Sequence, residues 1–544
     1  VRSFPGDPSR RSLAVAAAVL AGLGAVFFAT VRPTNFGGSD EWLCLSLLSR
    51  GTLDFPYANR PLNLVWNLPA WLLLPDRLVG FLAFHAAWIS LAGLVVFLIV
   101  RRLLPGAAPL ALLAGALTVF WAPTDGTRLC PVHMTVYSGC TLGALLATWL
   151  LLEAWLRRSL AVAGLALAAA AVAALSTEAA LAPLPLLPLV LLAAGGWREP
   201  RRLALWTAGA AAAVLALGLR AVLPMWLAPE RVTYQAAFAA GGLRPMRLAA
   251  GSLAQLRRHV SPVVEPLPGD MAWLPVGIGF ALVLGGMILL SRRGSRADLP
   301  VRRLVVAGVI GVLWALAAYL PLAASTRQAS RTQFVSAPGV AVLLAAGVFL
   351  LASFAPGRAR APLAALLGAA IVASGIQRTA AFQERWDSWS AYGDQRQTLL
   401  ELAAIAPDLR PGTLVVLLQA RGRWPLDLTF RHAVRYLYED RAAGHVPAAD
   451  AFLYETRVEQ GGILSSPAPV LRRPWGERER LYPHDAVVVV REDPSGRLRL
   501  VEIWPEELGA LPPGASYAPR ARIVVGPRLP RLRLLAVAPP AGAG

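Results

Sequence analysis

Lysine is missing from this sequence: all 52 basic residues among its 544 are arginine. Charge of either sign is scarce, at 15%, where soluble globular chains carry about 25%. That shortage argues against a water-soluble globular protein. Cysteine is nearly absent too. Cys44, Cys130 and Cys140 match no metal-site spacing, which excludes a cysteine-based metal framework. Buried thiols are the simpler expectation for them, with one disulfide as the alternative. No repeat of about 20–50 residues is evident, which excludes a solenoid or propeller.

What the chain has in excess is apolar sequence. It is 56% hydrophobic, with a mean hydropathy of +0.54. The net charge of +20 raises nucleic acid as a partner, but the arginines form no single stripe. They recur as short clusters between apolar runs, a pattern that fits membrane topology and not nucleic acid. The runs fall at about 13–31, 78–100, 108–121, 137–156, 159–175, 179–195, 203–222, 273–290, 304–322, 337–355 and 361–376. The expected fold is therefore mostly α: a polytopic transmembrane helix bundle of about eleven spans over residues 1–376. The first run is longer than a signal-peptide core and precedes no clear small-residue cleavage site, so it reads as a retained span.

Arg101–Arg102, Arg157–Arg158, Arg198 with Arg201–Arg202, the arginines from Arg292 to Arg303, and Arg358 with Arg360 fall in every second connection. The positive-inside rule puts these connections and the N-terminus in the cytoplasm. With an odd number of spans, residues 377–544 lie outside an integral protein of the cytoplasmic membrane. Two outer loops are long, 32–77 and 223–272. In the second, Met246, Leu253, Leu256 and Val260 recur at helical spacing among arginines. That predicts an amphipathic helix, either on the membrane surface or packed on the bundle.

After about residue 377 the apolar runs shorten. GTLVVLLQ (412–419) reads as a buried strand, and DAVVVVRED, PSG and RLRLVEIW (485–504) as a hairpin. Residues 385–406 and 428–440 read as helices. The expectation is a small extracytoplasmic α/β or α+β domain, without a nucleotide loop, zinc spacing or nucleophile elbow.

Candidate chemistry gathers at the outer face. GGSDEW (37–42) sets Asp40 and Glu41 just beyond the first span. Capping of the helix that begins EWLCLSLL (41–48) by Ser39 or Asp40 is the plain alternative. Asn59 and Arg60 share that first loop. His85 lies near the outer start of the second span, Glu178 at an outer junction, and Arg220 in the last outward turn of its span. Arg327 and Arg331 precede a late outer span start. Outer arginines do not serve the positive-inside signal, and several beside carboxylates suggest an anionic-ligand site.

The layout resembles the GT-C superfamily of membrane glycosyltransferases, which draw sugars from polyprenyl-phosphate carriers, in the manner of protein mannosyltransferases and aminoarabinose transferases. The likeness rests on Asp40-Glu41, Arg60-Pro61-Leu62, His85, the segment Thr177 to Leu184, Arg220, and Arg331 followed by Ser336 to Gly339. It covers about residues 13–376. The chain departs from the pattern where many relatives have Lys-Glu, here Thr177-Glu178. It departs again at APTDGTRLCPVH (122–133), where many have His-Pro, which leaves Asp125, Arg128 and His133 without a role. The resemblance implies transfer, with inversion, from a polyprenyl-phosphate-linked sugar to an extracytoplasmic glycan, lipid or protein hydroxyl. Asp40 would be the base and Glu41 a second acceptor. A divalent metal, if one is used, would sit on this pair. Arg331, Arg220 and Arg60 would face the lipid phosphate, with His85, Glu178 and Arg327 nearby.

Three other functions fit the outer-face arginines or the apolar runs: a flippase for lipid-linked glycans, a glycan ligase or polymerase, and a non-catalytic membrane protein. A flippase calls for midplane polar groups and duplicated halves, and neither is apparent. A ligase does not require the acidic pair.

Overall fold

The structure is a computed structural model that describes residues 10–38, 40–53, 60–227, 245–292, 299–323, 333–451, 453–468, 471, 477–526 and 530–536. Its helices in chain order are α1 (Arg10–Thr30), α2 (Glu41–Ser49), α3 (Leu68–Leu73), α4 (Leu78–Leu103), α5 (Ala108–Phe120), α6 (Thr135–Arg157), α7 (Leu160–Ser176) and α8 (Leu187–Ala193). They continue with α9 (Pro200–Leu227), α10 (Pro245–Val260), α11 (Trp273–Ser291), α12 (Val301–Ala323), α13 (Gln333–Ser353), α14 (Gly357–Trp389), α15 (Tyr392–Ile405) and α16 (Asp427–Leu437). Eight helices among the described residues are long and apolar enough to cross a membrane. Their outer faces stay apolar: Leu205 is 74% exposed, Trp273 77% and Leu351 62%. Such a surface is costly in water and suits lipid.

Each of the other three apolar runs departs from a regular span. In α5 every residue is buried, so this helix is the axle of the bundle rather than a lipid-facing span. At 13 residues it is about 20 Å long, short of the hydrocarbon core of about 30 Å. The second, α7, is also short. The run at 179–195 does not form one helix. Pro183, Pro185 and Pro188 break it into tight turns and the seven-residue α8, because proline removes the amide that helix continuation needs.

Glycine sets the closest packing. A Cβ on Gly93 of α4 would stand 2.7 Å from the Gly115 carbonyl oxygen of α5, and one on Gly115 would stand 2.6 Å from that of Gly93. The two backbones touch, as small residues permit in membrane bundles. Gly115→Val should therefore destabilise the detergent-solubilised protein by about 1–3 kcal/mol. Gly164→Val, at a site with nothing within 4 Å, should leave the melting temperature nearly unchanged. Equal melting temperatures for the two variants would contradict this packing.

α10 resolves the amphipathic segment. Its C-terminal turns pack on the bundle, where His259 is fully buried with Nδ1 2.6 Å from the Tyr319 hydroxyl. Met246 and Leu253 remain exposed. The single apolar stripe expected there is thus divided between bundle and surroundings. The three cysteines are all buried thiols.

The hydropathic boundary near 376 is not a structural one. α14 runs unbroken to Trp389, carrying the chain out of the apolar region as one rod, and α15 begins after a break at Ser390. Beyond it lie β1 (Asp408–Leu409), β2 (Thr413–Leu418), β3 (Ala442–His445), β4 (Tyr454–Glu459), β5 (Gly462–Pro467), β6 (Arg480–Tyr482), β7 (Val487–Glu492), β8 (Leu498–Leu500) and β9 (Ile523–Val524). The main sheet has the order β3-β2-β7-β8. β2 is parallel to β3 and β7, and β7–β8 is the expected antiparallel hairpin. Val415, Val488 and Val490 of the sheet pack with α16 through Phe430 and Val434. Leu414, Val416, Val487 and Val489 pack on the other side with Ile463 and Tyr482. Burial on both faces explains the unbroken valine run.

The first long loop belongs to the core of this domain. Phe36, Trp42, Leu43 and Leu47 share one buried cluster with Tyr392, Phe430, Val434 and Tyr436. Trp42 Nε1 donates to Gln395 Oε1 at 2.7 Å, and the Thr429 hydroxyl donates to the Gly38 carbonyl at 3.0 Å. At the end of α2, Arg50 is 3.3 Å from Glu477, whose carboxylate is also held by Arg435 at 2.5 and 3.0 Å. Burial alone would raise the Glu477 pKa; Arg435 reverses that and holds it at about 2.

Candidate active site

The stretch that carries Asp40 is fixed from three directions. α1 ends at Thr30. Asn35 then pairs with Gln383 of α14: Asn35 Nδ2 donates to Gln383 Oε1 at 2.8 Å, and Gln383 Nε2 returns a bond to Asn35 Oδ1 at 3.0 Å. Asn35 Nδ2 also donates to the Leu129 carbonyl at 3.0 Å. Trp386 Nε1, one turn further along α14, donates to the Gly126 carbonyl at 2.7 Å. Gly38, at φ +81°, turns the chain into α2, a backbone conformation that glycine adopts without strain. Glu41, in the first turn of α2, folds back so that Oε1 accepts from the Gly37 amide at 2.9 Å.

Asp40 occupies the N-cap position of α2, but its side chain makes no capping hydrogen bond. Its Oδ2 lies 3.3 Å from His133 Nε2 instead. The Asp40 side chain is 23% exposed and that of His133 is 9% exposed. The acid thus meets a histidine at the rim of the bundle, from the very loop whose role the sequence left open. Elsewhere in that loop, Asp125 Oδ2 accepts from the Gln333 amide at 3.2 Å. Arg128 Nη2 donates to the Thr118 carbonyl at 2.8 Å. Burial lowers the Arg128 pKa to about 10, against the opposing charge of Asp125.

Arg60 and Glu178 form a second pair. Arg60 Nε donates to one Glu178 oxygen at 2.8 Å and Nη2 to the other at 2.5 Å. Burial would raise the Glu178 pKa, but the adjacent guanidinium outweighs it and holds the group below the usual range. The segment after Arg60 joins the two pairs. Asn63 Nδ2 donates to the Ser176 carbonyl at 3.0 Å, and Asn67 Nδ2 donates to the carbonyl of Val132, next to His133, at 2.8 Å.

Not every candidate takes part. His85 is fully buried inside the bundle. Its Nε2 donates to the Arg128 carbonyl at 2.8 Å, and Nδ1 faces the Ser138 hydroxyl at 3.1 Å. Nε2 thus holds the 126–129 turn to α4 and Nδ1 faces α6, so both ring nitrogens are engaged by protein groups inside the bundle, which weakens the case for His85 as a substrate contact. Arg60, bound through a two-point contact to a carboxylate, carries compensated charge, which weakens its case as a phosphate clamp. Arg220 is exposed on α9, about two turns before that helix ends at Leu227. Ser39, Asn59, Arg327 and Arg331 lie outside the described residues.

Glu41 turns to a backbone amide and Asp40 to His133. Among the described residues, no three His, Cys, Asp or Glu side chains are grouped to hold a metal ion.

Sequence reasoning missed Asn35, Gln383 and Trp386, which lock the acidic turn in place. The available signal was the polar run that follows residue 376 at helical spacing. No protein-family model matches the chain, and no curated protein is significantly similar to it.

Proposed function

We propose that this protein is a membrane glycosyltransferase that moves a sugar from a polyprenyl-phosphate carrier to an extracytoplasmic hydroxyl, with Asp40 as general base. The observation that carries this reading is the Asp40–His133 contact of 3.3 Å, made by an acid released from helix capping at the edge of a lipid-facing bundle. The acceptor hydroxyl would donate its hydrogen bond to Asp40. As its oxygen forms the new bond to the anomeric carbon, the proton passes to the carboxylate. The bond from that carbon to the phosphate oxygen breaks, and its electron pair leaves with the lipid phosphate. Attack opposite the leaving group gives inversion. His133 would orient the carboxylate. Charge growing on the phosphate calls for fixed guanidinium donors, for which Arg331, Arg327 and Arg220 are the candidates.

The distribution of arginine supports the sidedness that this reaction needs. Arg102, Arg198, Arg302 and Arg303 meet around one cavity, at the end of the bundle away from Asp40. The positive-inside rule then makes that end cytoplasmic and leaves Asp40 and the strand-containing domain outside. Reporter fusions after Arg102, Arg158 and Arg303 should read cytoplasmic, and fusions after Arg378 external. A cytoplasmic readout after Arg378 would put Asp40 on the wrong side for this chemistry.

The direct test is transfer from polyprenyl-phosphate sugars by the purified full chain, with mass spectrometry of its bound lipid. Transfer to an added acceptor is expected. Absence of transfer with every donor, together with absence of bound polyprenyl phosphate, would exclude the reading.

A further inference from the structure

The cavity at the arginine-rich end has a chemistry of its own. It measures about 770 Å³ and is walled by α4, α6, α8, α12 and α13. Among the described residues, four arginines line it and no carboxylate does. Arg102 is neutralised by Glu153, which Arg157 also binds at 2.8 Å. Arg198, Arg302 and Arg303 are exposed, and none of these three has an ion-pair partner among the described residues. The rest of the lining is almost wholly apolar.

The polar and apolar parts are arranged along one axis. On α12 the cavity is lined by Arg302 and Arg303, then Val306, Ile310 and Trp314. That spacing follows one helix face over about 18 Å, at about 1.5 Å per residue. On α4, Val96 and Ile99 lie deep, and Arg102 lies toward the mouth. At the foot, Gly311 and Gly339 bring α12 and α13 into backbone contact. A Cβ on either would stand 2.5 Å from the other's carbonyl oxygen. Val306 stays exposed, so the space is an open-sided channel, cationic at one end and greasy along its length.

We infer that this channel binds one anionic phospholipid, with its phosphate at Arg198, Arg302 and Arg303 and an acyl chain running inward along α12. A free anion would satisfy the arginines and leave the apolar channel unfilled. A zwitterionic lipid would fill the channel and present its own cation to three arginines. An amphiphile with a net negative head matches both parts. Basic pockets between transmembrane helices hold acidic lipid headgroups on the same principle. The site is separate from Asp40, so failure of the transferase reading would leave it standing.

The test uses the full chain in detergent, with phosphatidylglycerol, phosphatidylcholine and inorganic phosphate as probes. Native mass spectrometry should find one phosphatidylglycerol retained and phosphatidylcholine lost under the same activation. Arg302→Ala/Arg303→Ala, at two exposed positions that support little of the fold, should weaken phosphatidylglycerol binding by roughly 30-fold, about 5-fold for each arginine. Ile310→Trp should weaken it by blocking the channel while the arginines stay in place. Equal retention of the two lipids, or unchanged binding in the arginine variant, would overturn the inference. So would thermal stabilisation by inorganic phosphate equal to that by phosphatidylglycerol, since the channel would then have no part in binding.

Discussion

Replacing Asp40 by asparagine should lower sugar transfer by roughly 10²–10⁴-fold, the range for loss of a positioned acid or base. The substitution keeps the shape of the side chain and removes its charge and basicity. Donor binding should change little, because in the proposed mechanism the acid would face the acceptor and not the phosphate. Stability should change by less than about 0.5 kcal/mol, since the side chain is partly exposed and makes no capping bond. Asparagine caps helices about as well as aspartate, so a purely structural role predicts a silent variant. The measurement is initial transfer rate against acceptor concentration, with a thermal melt of the same preparation. Full activity in Asp40→Asn would remove Asp40 from the chemistry. Full activity in Glu41→Gln as well would make the acidic pair a structural feature of the turn.

Much of the architecture is written in one-dimensional quantities. Hydropathy locates the eight helices long and apolar enough to cross a membrane among the described residues, because length and apolar content are what a bilayer demands. The valine strand and its hairpin partner are legible for a similar reason: burial on both sheet faces leaves a continuous apolar run. The run at 179–195 shows the limit of this reading. Its hydropathy matches that of its neighbours, and only the three prolines record the break. The boundary near 376 fails in the opposite way. Apolar content ends there, but nothing stops the helix, so α14 continues to Trp389.

The site is less legible, because its meaning lies in pairings between distant positions. Asp40 can be named as a candidate from its place beyond the first span. That His133 would be its neighbour depends on how the 122–133 loop folds over the bundle. His85 looks functional in sequence because it lies near the outer start of the second span. Its partner is a backbone carbonyl, which no sequence pattern marks. The same holds for the stretch at 32–77, which reads as a long outer loop. Trp42 and Leu47 reveal themselves as core residues only once α16 is laid against them.

The Arg60–Glu178 pair offers the second large effect, and one that separates structure from function. The two residues are 118 positions apart and joined by two hydrogen bonds. Their side chains are 10% and 27% exposed. Removing one partner strands the other's charge. Where burial is complete this costs about 3–5 kcal/mol; with Glu178 a quarter exposed, Arg60→Ala should cost about 2–3 kcal/mol. Because the folded-state pKa of Glu178 is lowered, the pair's contribution is complete at neutral pH. It should be lost as pH falls through and below the usual glutamate range. Arg60→Met/Glu178→Leu removes both charges and leaves none unpaired, so the melting temperature should return to near that of the parent protein. Transfer should not return with it if the pair shapes the polar wall between Ser176 and His133 for substrate. Melting and transfer measured on the two single variants, the double variant and the parent give the coupling directly. Recovery of transfer together with stability would assign the pair to the fold alone and leave the substrate phosphate to other arginines.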